Sequence, residues 1–201
     1  MSSLVCIDPG QYTGVAIFDF EIPTYLSEVG TIRDNGKLTD YIAKLQAMKS
    51  KHDVVIACIE QYQNFGRRFF NAGKVNEQIR ACKDVFDKHI LVKTSQWNPR
   101  HYQDQFKRRL AASAFQRDFS NSHCTDAALM GQWFGQWLMV WSRQCQVSPA
   151  EMAVIIAEEF GEIPLRGKLQ VWADDFVRDK KPIFTINAEF GDCGRKERAT
   201  R

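Results

Sequence analysis

One run of apolar residues limits the fold of this chain more than any other feature. Val54–Ile59 reads VVIACI, and the run ends at Glu60. A strand with one face in water alternates apolar and polar residues, whereas a strand covered on both faces has no polar positions. The run therefore predicts a buried parallel strand, and a sheet of this kind needs helices beside it.

Three short strands and a helix are predicted before this run. Ser3–Ile7 and Gly14–Phe20 are apolar segments separated by a Pro-Gly turn, and this pattern predicts a hairpin. Thr31–Ile32 predicts the end of a third strand. Apolar residues at helical spacing over Leu38–Met48 predict a helix that leads into the buried strand.

Helices dominate the chain after the buried strand. Arg68–Lys88 has helical periodicity and is followed by the strand-like Ile90–Lys93. Two further helices are predicted, one from Pro99 to about Phe119 and one capped by Asn121 or Ser122 that runs through Trp141. The predicted fold class is α/β, with a mixed sheet flanked by helices.

A boundary is predicted near Gln144–Val147. Ser148-Pro149-Ala150-Glu151 has the capping-box pattern of a helix start, Gly161 can end that helix, and another helix is predicted near Leu165–Asp179. We therefore expect one domain over residues 1–145, followed by a C-terminal helical extension with a basic tail over residues 146–201.

Composition excludes several classes of protein. No stretch approaches the roughly 20 apolar residues of a membrane helix, and Met1–Cys6 lacks the regions of a signal peptide, so we expect a cytosolic protein. The six cysteines form no CxxC pairs, which favours reduced core thiols over disulfides or a zinc site. The formal net charge of +3 is too small to indicate nucleic-acid binding by itself.

Two acids are predicted at the carboxyl ends of strands. Asp8 ends the first strand before the Pro-Gly turn, and Glu60 directly follows Val54–Ile59. Open α/β sheets bind their ligands at this edge, so the two acids meet if their strands are parallel neighbours. Each acid also has an ordinary explanation, because Asp is common in Asp-Pro-Gly bends and an acid can simply end a strand at the surface.

A second pair of polar residues stands at a predicted helix start. His123 and Asp126 are three residues apart and share one helix face, and the small apolar residues that follow suit a helix lying close on the sheet. The ordinary explanations are an acid that complements the helix dipole and a packed histidine. Three carboxylates and an imidazole at one sheet edge suit Mg²⁺ or Mn²⁺ better than a closed zinc site. Two such ions about 3.5–4 Å apart catalyse phosphodiester hydrolysis.

Taken in order, these motifs resemble the RuvC family of Holliday junction resolvases. The motifs are Cys6-Ile7-Asp8-Pro9-Gly10 with Thr13-Gly14, then Ile59-Glu60-Gln61, then His123-x-x-Asp126-Ala127-Ala128, over roughly residues 3–142. The resemblance implies a ribonuclease H-like fold and a homodimer that cuts four-way DNA junctions at symmetric positions. It implies two Mg²⁺ ions per site, with Mn²⁺ able to substitute, held by the catalytic residues Asp8, Glu60, His123 and Asp126.

The resemblance also implies surfaces for DNA and for a second subunit. The helix after Glu60 resembles the family's dimer-contacting helix, and the apolar Phe69, Phe70 and Val75 are available for that interface. A solvated helix face is the ordinary explanation of any one basic cluster. The residues predicted to contact DNA are Arg67, Arg68, Lys74, Arg80, Arg100, Lys107 and Arg108. A nuclease of this kind is expected to associate with the nucleoid.

The chain departs from the family in ways that leave its substrate open. Gln63 stands where many members have an aromatic residue, Trp97–Tyr102 replaces a glycine-rich loop, and residues 147–201 lie outside the resemblance. The same site could cut flaps, forks or other branched DNA. A catalytically silent DNA-binding relative would have lost a carboxylate, whereas all are present. Sugar kinases and actin-like ATPases need two lobes, for which the chain is too short.

Overall fold

The computed structural model of the chain describes residues 3–20, 22–23, 25–61, 72–98, 102–119 and 121–180. The strands are β1 (Ser3–Asp8), β2 (Tyr12–Asp19), β3 (Leu26–Arg33), β4 (Val54–Gln61) and β5 (His89–Lys93). The helices are α1 (Leu38–Lys51), α2 (Ala72–Val85), α3 (Thr94–Trp97), α4 (Asp104–Phe115), α5 (Ser122–Cys145), α6 (Pro149–Glu159) and α7 (Arg166–Lys180). In this part of the chain, no helix has the length and apolar character needed to cross a membrane.

The strands form one mixed sheet in the order β3-β2-β1-β4-β5. The predicted hairpin is confirmed, because β1 pairs antiparallel with β2, and β2 pairs antiparallel with β3. The predicted buried strand is also confirmed: β4 lies between β1 and β5 and is parallel to both. From Ile56 to Ile59 its residues are fully buried. The carboxyl ends of β1, β4 and β5 therefore share one edge of the sheet.

Helices cover both faces of the sheet, as the fold class predicts. Alternate strand residues point to opposite faces. Leu4 and Cys6 belong to a core shared with α5, whereas Val5 and Ile7 belong to a core shared with α1 and α2. The long helix α5 lies on β2 and β1, where Ala127, Ala128 and Met130 are fully buried.

The two last helices pack on the same core. The capping box at Ser148 is confirmed, because its Oγ accepts a hydrogen bond from the Glu151 backbone N–H at 3.1 Å and Glu151 accepts one from the Ser148 N–H at 2.8 Å. Gly161 follows the helix with φ +65°. Met152, Ile156, Leu169 and Ala173 are buried in the core that contains α5. The division at residues 145 and 146 remains a proposal, and residues 181–201 lie outside the described residues.

The structure corrects the predicted start of one helix and adds another. The helix predicted from Pro99 to Phe119 runs from Asp104 to Phe115 in α4, which ends at Gln116 in the left-handed region, φ 51°. The sequence did not predict the short helix α3, whose start is closed by the Lys93 backbone N–H donating to Gln96 Oε1 at 2.8 Å. Of the helix predicted over Arg68–Lys88, residues 72–88 are described, and α2 ends at Val85, three residues earlier than predicted.

Two glycines let α5 lie directly on the sheet. A Cβ added at Gly14 of β2 would collide with the backbone carbonyl of His123, and one added at Gly131 would collide with the Phe18 ring. The first contact is between two backbones, so no side-chain rotation can relieve it. Gly14 therefore fixes how closely the first turn of α5, which carries His123 and Asp126, approaches the sheet.

Gly14→Ala is expected to destabilise the protein by about 1–3 kcal/mol, the usual cost of forcing extra atoms into a packed interior. The free energy of unfolding in urea measures this effect. Gly30→Ala on the neighbouring β3 is the matched control, because a Cβ at Gly30 meets nothing within 4 Å. Equal stabilities for the two variants would show that α5 does not depend on the close approach at Gly14.

Candidate active site at the carboxyl edge of the sheet

Asp8 and Glu60 lie side by side at the carboxyl ends of β1 and β4. Cys6 pairs with Cys58 and Ile7 with Ile59 in the parallel register, so the next positions along the two strands are the two acids. They are 8% and 9% exposed, and their carboxyl groups share a hydrogen bond. The strand arrangement thus brings together the two acids that the sequence predicted would meet.

Two residues of α3 hold Glu60. Its Oε1 accepts hydrogen bonds from Thr94 Oγ1 at 2.6 Å and from Trp97 Nε1 at 3.1 Å. α3 begins directly after β5, whose carboxyl end lies at the same sheet edge, and residues three apart share a helix face. Sequence reasoning missed both residues. The available signal was their position: Thr94 and Trp97 stand three residues apart directly after β5, whose carboxyl end lies at the site.

The start of α5 brings His123 to Asp8. His123 Nδ1 lies 2.6 Å from Asp8 Oδ2. The helix start is fixed by Asn121, one of the two predicted caps, whose Oδ1 accepts a hydrogen bond from the Cys124 backbone N–H at 2.9 Å. A Cβ at Gly10 would lie 2.9 Å from the His123 ring, so the glycine of the Pro-Gly turn leaves room for the imidazole.

Asp126, one helical turn later, is paired with a lysine. Its Oδ2 accepts a hydrogen bond from Lys107 Nζ at 2.7 Å, and its Oδ1 lies 2.6 Å from the same nitrogen. Lys107 also lies 3.3 Å from the Asp104 carboxylate. Lys107, one of the predicted DNA contacts, is 7% exposed, because it lies on the face of α4 that packs on α5. Its contact with DNA stays a prediction.

Burial raises the pKa values of all three acids. It raises the pKa of Asp8 to about 7 and that of Glu60 to about 8, and repulsion between acids adds to both effects. It raises the pKa of Asp126 to about 6, although Lys107 acts in the opposite direction. Burial opposes the charge of Lys107, yet the bond to Asp126 outweighs it and raises the pKa of the lysine. The site therefore retains protons near neutral pH.

The donor set suits a divalent cation in chemistry but is not yet arranged around one. Within the described residues, no group of three or more His, Cys, Asp or Glu side chains is placed to hold a metal ion. Asp8 is turned to His123, and Asp126 is turned to Lys107. Carboxylate oxygens are the ligands that Mg²⁺ prefers, and a cation would relieve the repulsion that raises these pKa values. A metal ion held by Asp126 would have to displace Lys107 from that carboxylate.

The metal-free protein is expected to lose stability as the pH rises from about 5 to about 8. The folded state binds protons at Asp8, Glu60 and Asp126 more tightly than the unfolded chain, whose carboxyl pKa values lie near 4. The unfolded state then holds fewer protons in this range, so the free energy of unfolding falls as these protons are lost. Thermal unfolding in chelator and in Mg²⁺ measures the effect, and Mg²⁺ should stabilise the protein more at pH 8 than at pH 5.

Glu60→Gln is the control for this pH dependence, because it removes the acid with the highest of the three pKa values. The variant should show a shallower fall in stability than the unmodified protein. A melting temperature in chelator that stays constant from pH 5 to pH 8 would contradict the raised pKa values. If Mg²⁺ raises the melting temperature equally at pH 5 and pH 8, the stabilising metal ion is not bound by these acids.

Three of the other predicted DNA contacts, Lys74, Arg80 and Arg108, lie on α2 and α4. Arg80 and Arg108 are exposed. Lys74 lies 3.2 Å from Asp34, and Asp34 also accepts a hydrogen bond from Gln78, whose amide donates to the Gly10 carbonyl at 3.2 Å. Arg67, Arg68 and Arg100, together with the predicted interface residues Phe69 and Phe70, lie outside the described residues.

Two solved structures share this fold. The first is RuvC of Thermus thermophilus, with a TM-score of 0.56 and 12% sequence identity over 69% of this chain and 96% of the other. The second is RuvC of the same organism in complex with a Holliday junction substrate, with a TM-score of 0.57, 10% identity, and coverage of 70% and 96%. No family model and no curated protein sequence matches the chain. The structural likeness confirms the predicted ribonuclease H-like fold.

Proposed function

We propose that this chain is a metal-dependent endodeoxyribonuclease that resolves four-way DNA junctions by paired phosphodiester hydrolysis. One observation carries the proposal: two buried acids on β1 and β4 and a partly buried acid on α5 meet at one sheet edge, with pKa values raised by burial and mutual repulsion. A purely structural site would gain little from such a costly cluster. A divalent cation makes the cluster favourable.

The residues at this sheet edge have two kinds of proposed role, as metal ligands and as groups that orient those ligands. Asp8 and Glu60 on the strands, with His123 and Asp126 on α5, are the proposed ligands of two Mg²⁺ ions, or of Mn²⁺. The bound ions would activate the attacking water and stabilise the leaving oxygen. Thr94 and Trp97 orient Glu60, and His123 orients Asp8. Lys107 becomes available to a DNA phosphate only when it releases Asp126.

The structural likeness supports the proposed substrate, and the two scissile strands of a junction support the proposed assembly. A RuvC of this fold is known in complex with a Holliday junction. The exposed Lys74, Arg80 and Arg108 lie on the two helices beside the site, and Arg67, Arg68 and Arg100 complete the proposed DNA contacts. A junction has two scissile strands, so a homodimer with one active site for each strand is proposed, with Phe69, Phe70 and Val75 in its interface.

The homodimer is expected in solution and on DNA. Sedimentation should give twice the chain mass of 23.2 kDa for the free protein, and two chains for each junction in the complex. Val75 is half-buried on α2, so Val75→Glu should shift the free protein towards monomer without unfolding it. If the protein is a monomer both free and on the junction, paired cleavage by a homodimer is contradicted. That result would still be compatible with cleavage of one strand at a time.

Cleavage of matched branched substrates tests the activity itself. Four-way, fork, flap and linear DNA of the same sequence are incubated with the protein in Mg²⁺, in Mn²⁺ and in chelator. The proposal expects symmetric paired nicks in the four-way junction, weaker cutting of the other branched forms and none in chelator. Preferred cutting of flaps or forks would move the activity to another branched substrate. Binding without cutting in either metal would identify a silent relative.

A further inference from the structure

A small pocket beside the acidic site is lined mostly by residues that have no part in the proposed hydrolysis. It lies between α4 and α5 and has a volume of about 140 Å³. Three aromatic rings and three amides form most of its wall. These residues are Trp97, Tyr102, Trp133, Asn98, Gln132 and Gln136.

The lining has the chemistry that recognises a nucleobase. Bases stack on aromatic side chains, and the amides of Asn and Gln pair with the hydrogen-bonding edges of bases. Among the lining residues that the structure describes, none is acidic, which disfavours a metal ion, and Lys107 is the only cation, which disfavours a free phosphate. The volume is below the roughly 300–1,000 Å³ of drug-sized ligand sites, so one flat ring system suits it.

The rim of the pocket is apolar and faces solvent. Phe106 and Leu110, one turn apart on α4, are 49% and 43% exposed. The Phe106 ring lies 4.6 Å from that of Tyr102, centroid to centroid. Exposed aromatic and aliphatic side chains beside an aromatic pocket favour a ligand with a hydrophobic face, and an unstacked base presents such a face.

The pocket shares two side chains with the acidic site. Trp97 lines the pocket and donates from Nε1 to Glu60 at 3.1 Å, and Lys107 lines it and donates from Nζ to Asp126 at 2.7 Å. The Lys107 nitrogen lies 5.9 Å from the centre of the Trp97 ring. A ring that enters the pocket therefore contacts the same two residues that hold two of the three carboxylates.

We infer that this pocket binds one unstacked base of the cleaved strand, next to the scissile phosphate. Trp133 and Tyr102 stack on the base, and Gln132 and Gln136 form hydrogen bonds with its edge. Trp97 and Lys107 contact both the base and the carboxylates of Glu60 and Asp126, so the bound base affects how these carboxylates are held. This inference rests on the proposed nuclease function, since it concerns the substrate of the same site. It predicts that cleavage depends on one base at a fixed distance from the cut.

A double-mutant cycle between protein and DNA tests the inference. Four-way junctions carry a single abasic nucleotide at each position near the cut in turn, and single-turnover cleavage in Mg²⁺ and affinity in chelator are measured. At one position the abasic nucleotide should slow the unmodified protein roughly tenfold or more, because one base–aromatic stack is worth about that or more. In Trp133→Ala the same abasic nucleotide should cost nothing further, whereas Trp133→Phe should keep the penalty.

The matched control removes a tryptophan that does not line the pocket. Trp172 of α7 stacks on Phe176 with ring centres 4.8 Å apart, so Trp172→Ala removes the same side chain and should keep the full abasic penalty. If Trp133→Ala does not fold, Gln136→Ala at an exposed position gives a second test: the unmodified protein should discriminate among the four bases at that position, and the variant should not.

The outcomes separate this inference from the proposed function. Mg²⁺-dependent junction cleavage with no abasic penalty at any position would overturn the base pocket and leave the nuclease intact. An abasic penalty that persists undiminished in both Trp133→Ala and Gln136→Ala would also overturn it. Failure to bind or cut any junction would overturn both proposals.

Discussion

Asp126→Asn is expected to reduce Mg²⁺-dependent junction cleavage by about a thousandfold or more while junction binding stays close to that of the unmodified protein. The amide is nearly the same size as the carboxylate but carries no charge to hold a cation. A metal ion contributes several kcal/mol of transition-state stabilisation, and each 1.4 kcal/mol is about tenfold in rate. Asp8→Asn and Glu60→Gln should behave alike, because the three acids form one cluster.

Asp104→Asn is the matched control for these variants. Asp104 also contacts Lys107, at 3.3 Å, but its side chain is 66% exposed on α4 and lies outside the proposed ligand set. The same change of Asp to Asn should therefore leave cleavage within a few-fold of the unmodified rate. Substantial Mg²⁺-dependent cleavage by Asp8→Asn, Glu60→Gln or Asp126→Asn would refute the proposed site.

His123→Ala is expected to lose most Mg²⁺-supported cleavage, roughly 10- to 100-fold, the usual cost of losing a group that orients a metal ligand. His123 lies 2.6 Å from Asp8, so its loss frees that carboxylate to turn. His123→Asp should retain much of the activity, because it supplies an oxygen ligand, which Mg²⁺ accepts more readily than nitrogen. Single-turnover rates in Mg²⁺ and Mn²⁺ measure both variants.

The control for His123 is His52→Ala at the end of α1, where the ring lies 3.4 Å from Glu28 on the opposite side of the sheet. It should cleave at the unmodified rate. Circular dichroism and junction affinity should be unchanged in all three histidine variants. Cleavage by His123→Ala at the unmodified rate in Mg²⁺ would leave the histidine with a packing role and reduce the site to three carboxylates.

Much of the fold could be predicted from the sequence because its strongest signals are local. The unbroken apolar run of β4 required cover on both faces, and Asn121 and Ser148 mark helix starts through their own backbone contacts. The α3 region was missed because four residues are too few for a helical period to appear. The start of α4 was misplaced because Pro99 is compatible with a first helical turn, yet the helix begins at Asp104.

The site was predictable only where the backbone alone positions a side chain. Asp8 and Glu60 follow strands whose ends must coincide if the strands are parallel neighbours. The pairing of Lys107 with Asp126 was not predictable, because Lys107 stands in a basic cluster with Arg108 and Arg109, and adjacent helix positions point about 100° apart. Which of the three faces inward depends on how α4 packs on α5, and no local pattern encodes that contact.

If Asp126 holds a metal ion as proposed, its pair with Lys107 makes metal loading an exchange reaction. An incoming divalent ion does not enter an empty acidic cage, because an ammonium group already lies within 2.7 Å of both oxygens of one carboxylate. The displaced ammonium then needs an anion, and the backbone of bound DNA supplies one at the same edge. Metal and DNA would each raise the affinity for the other by the same factor. The proposed nuclease would then bind its metal ions more tightly when DNA is bound than when DNA is absent.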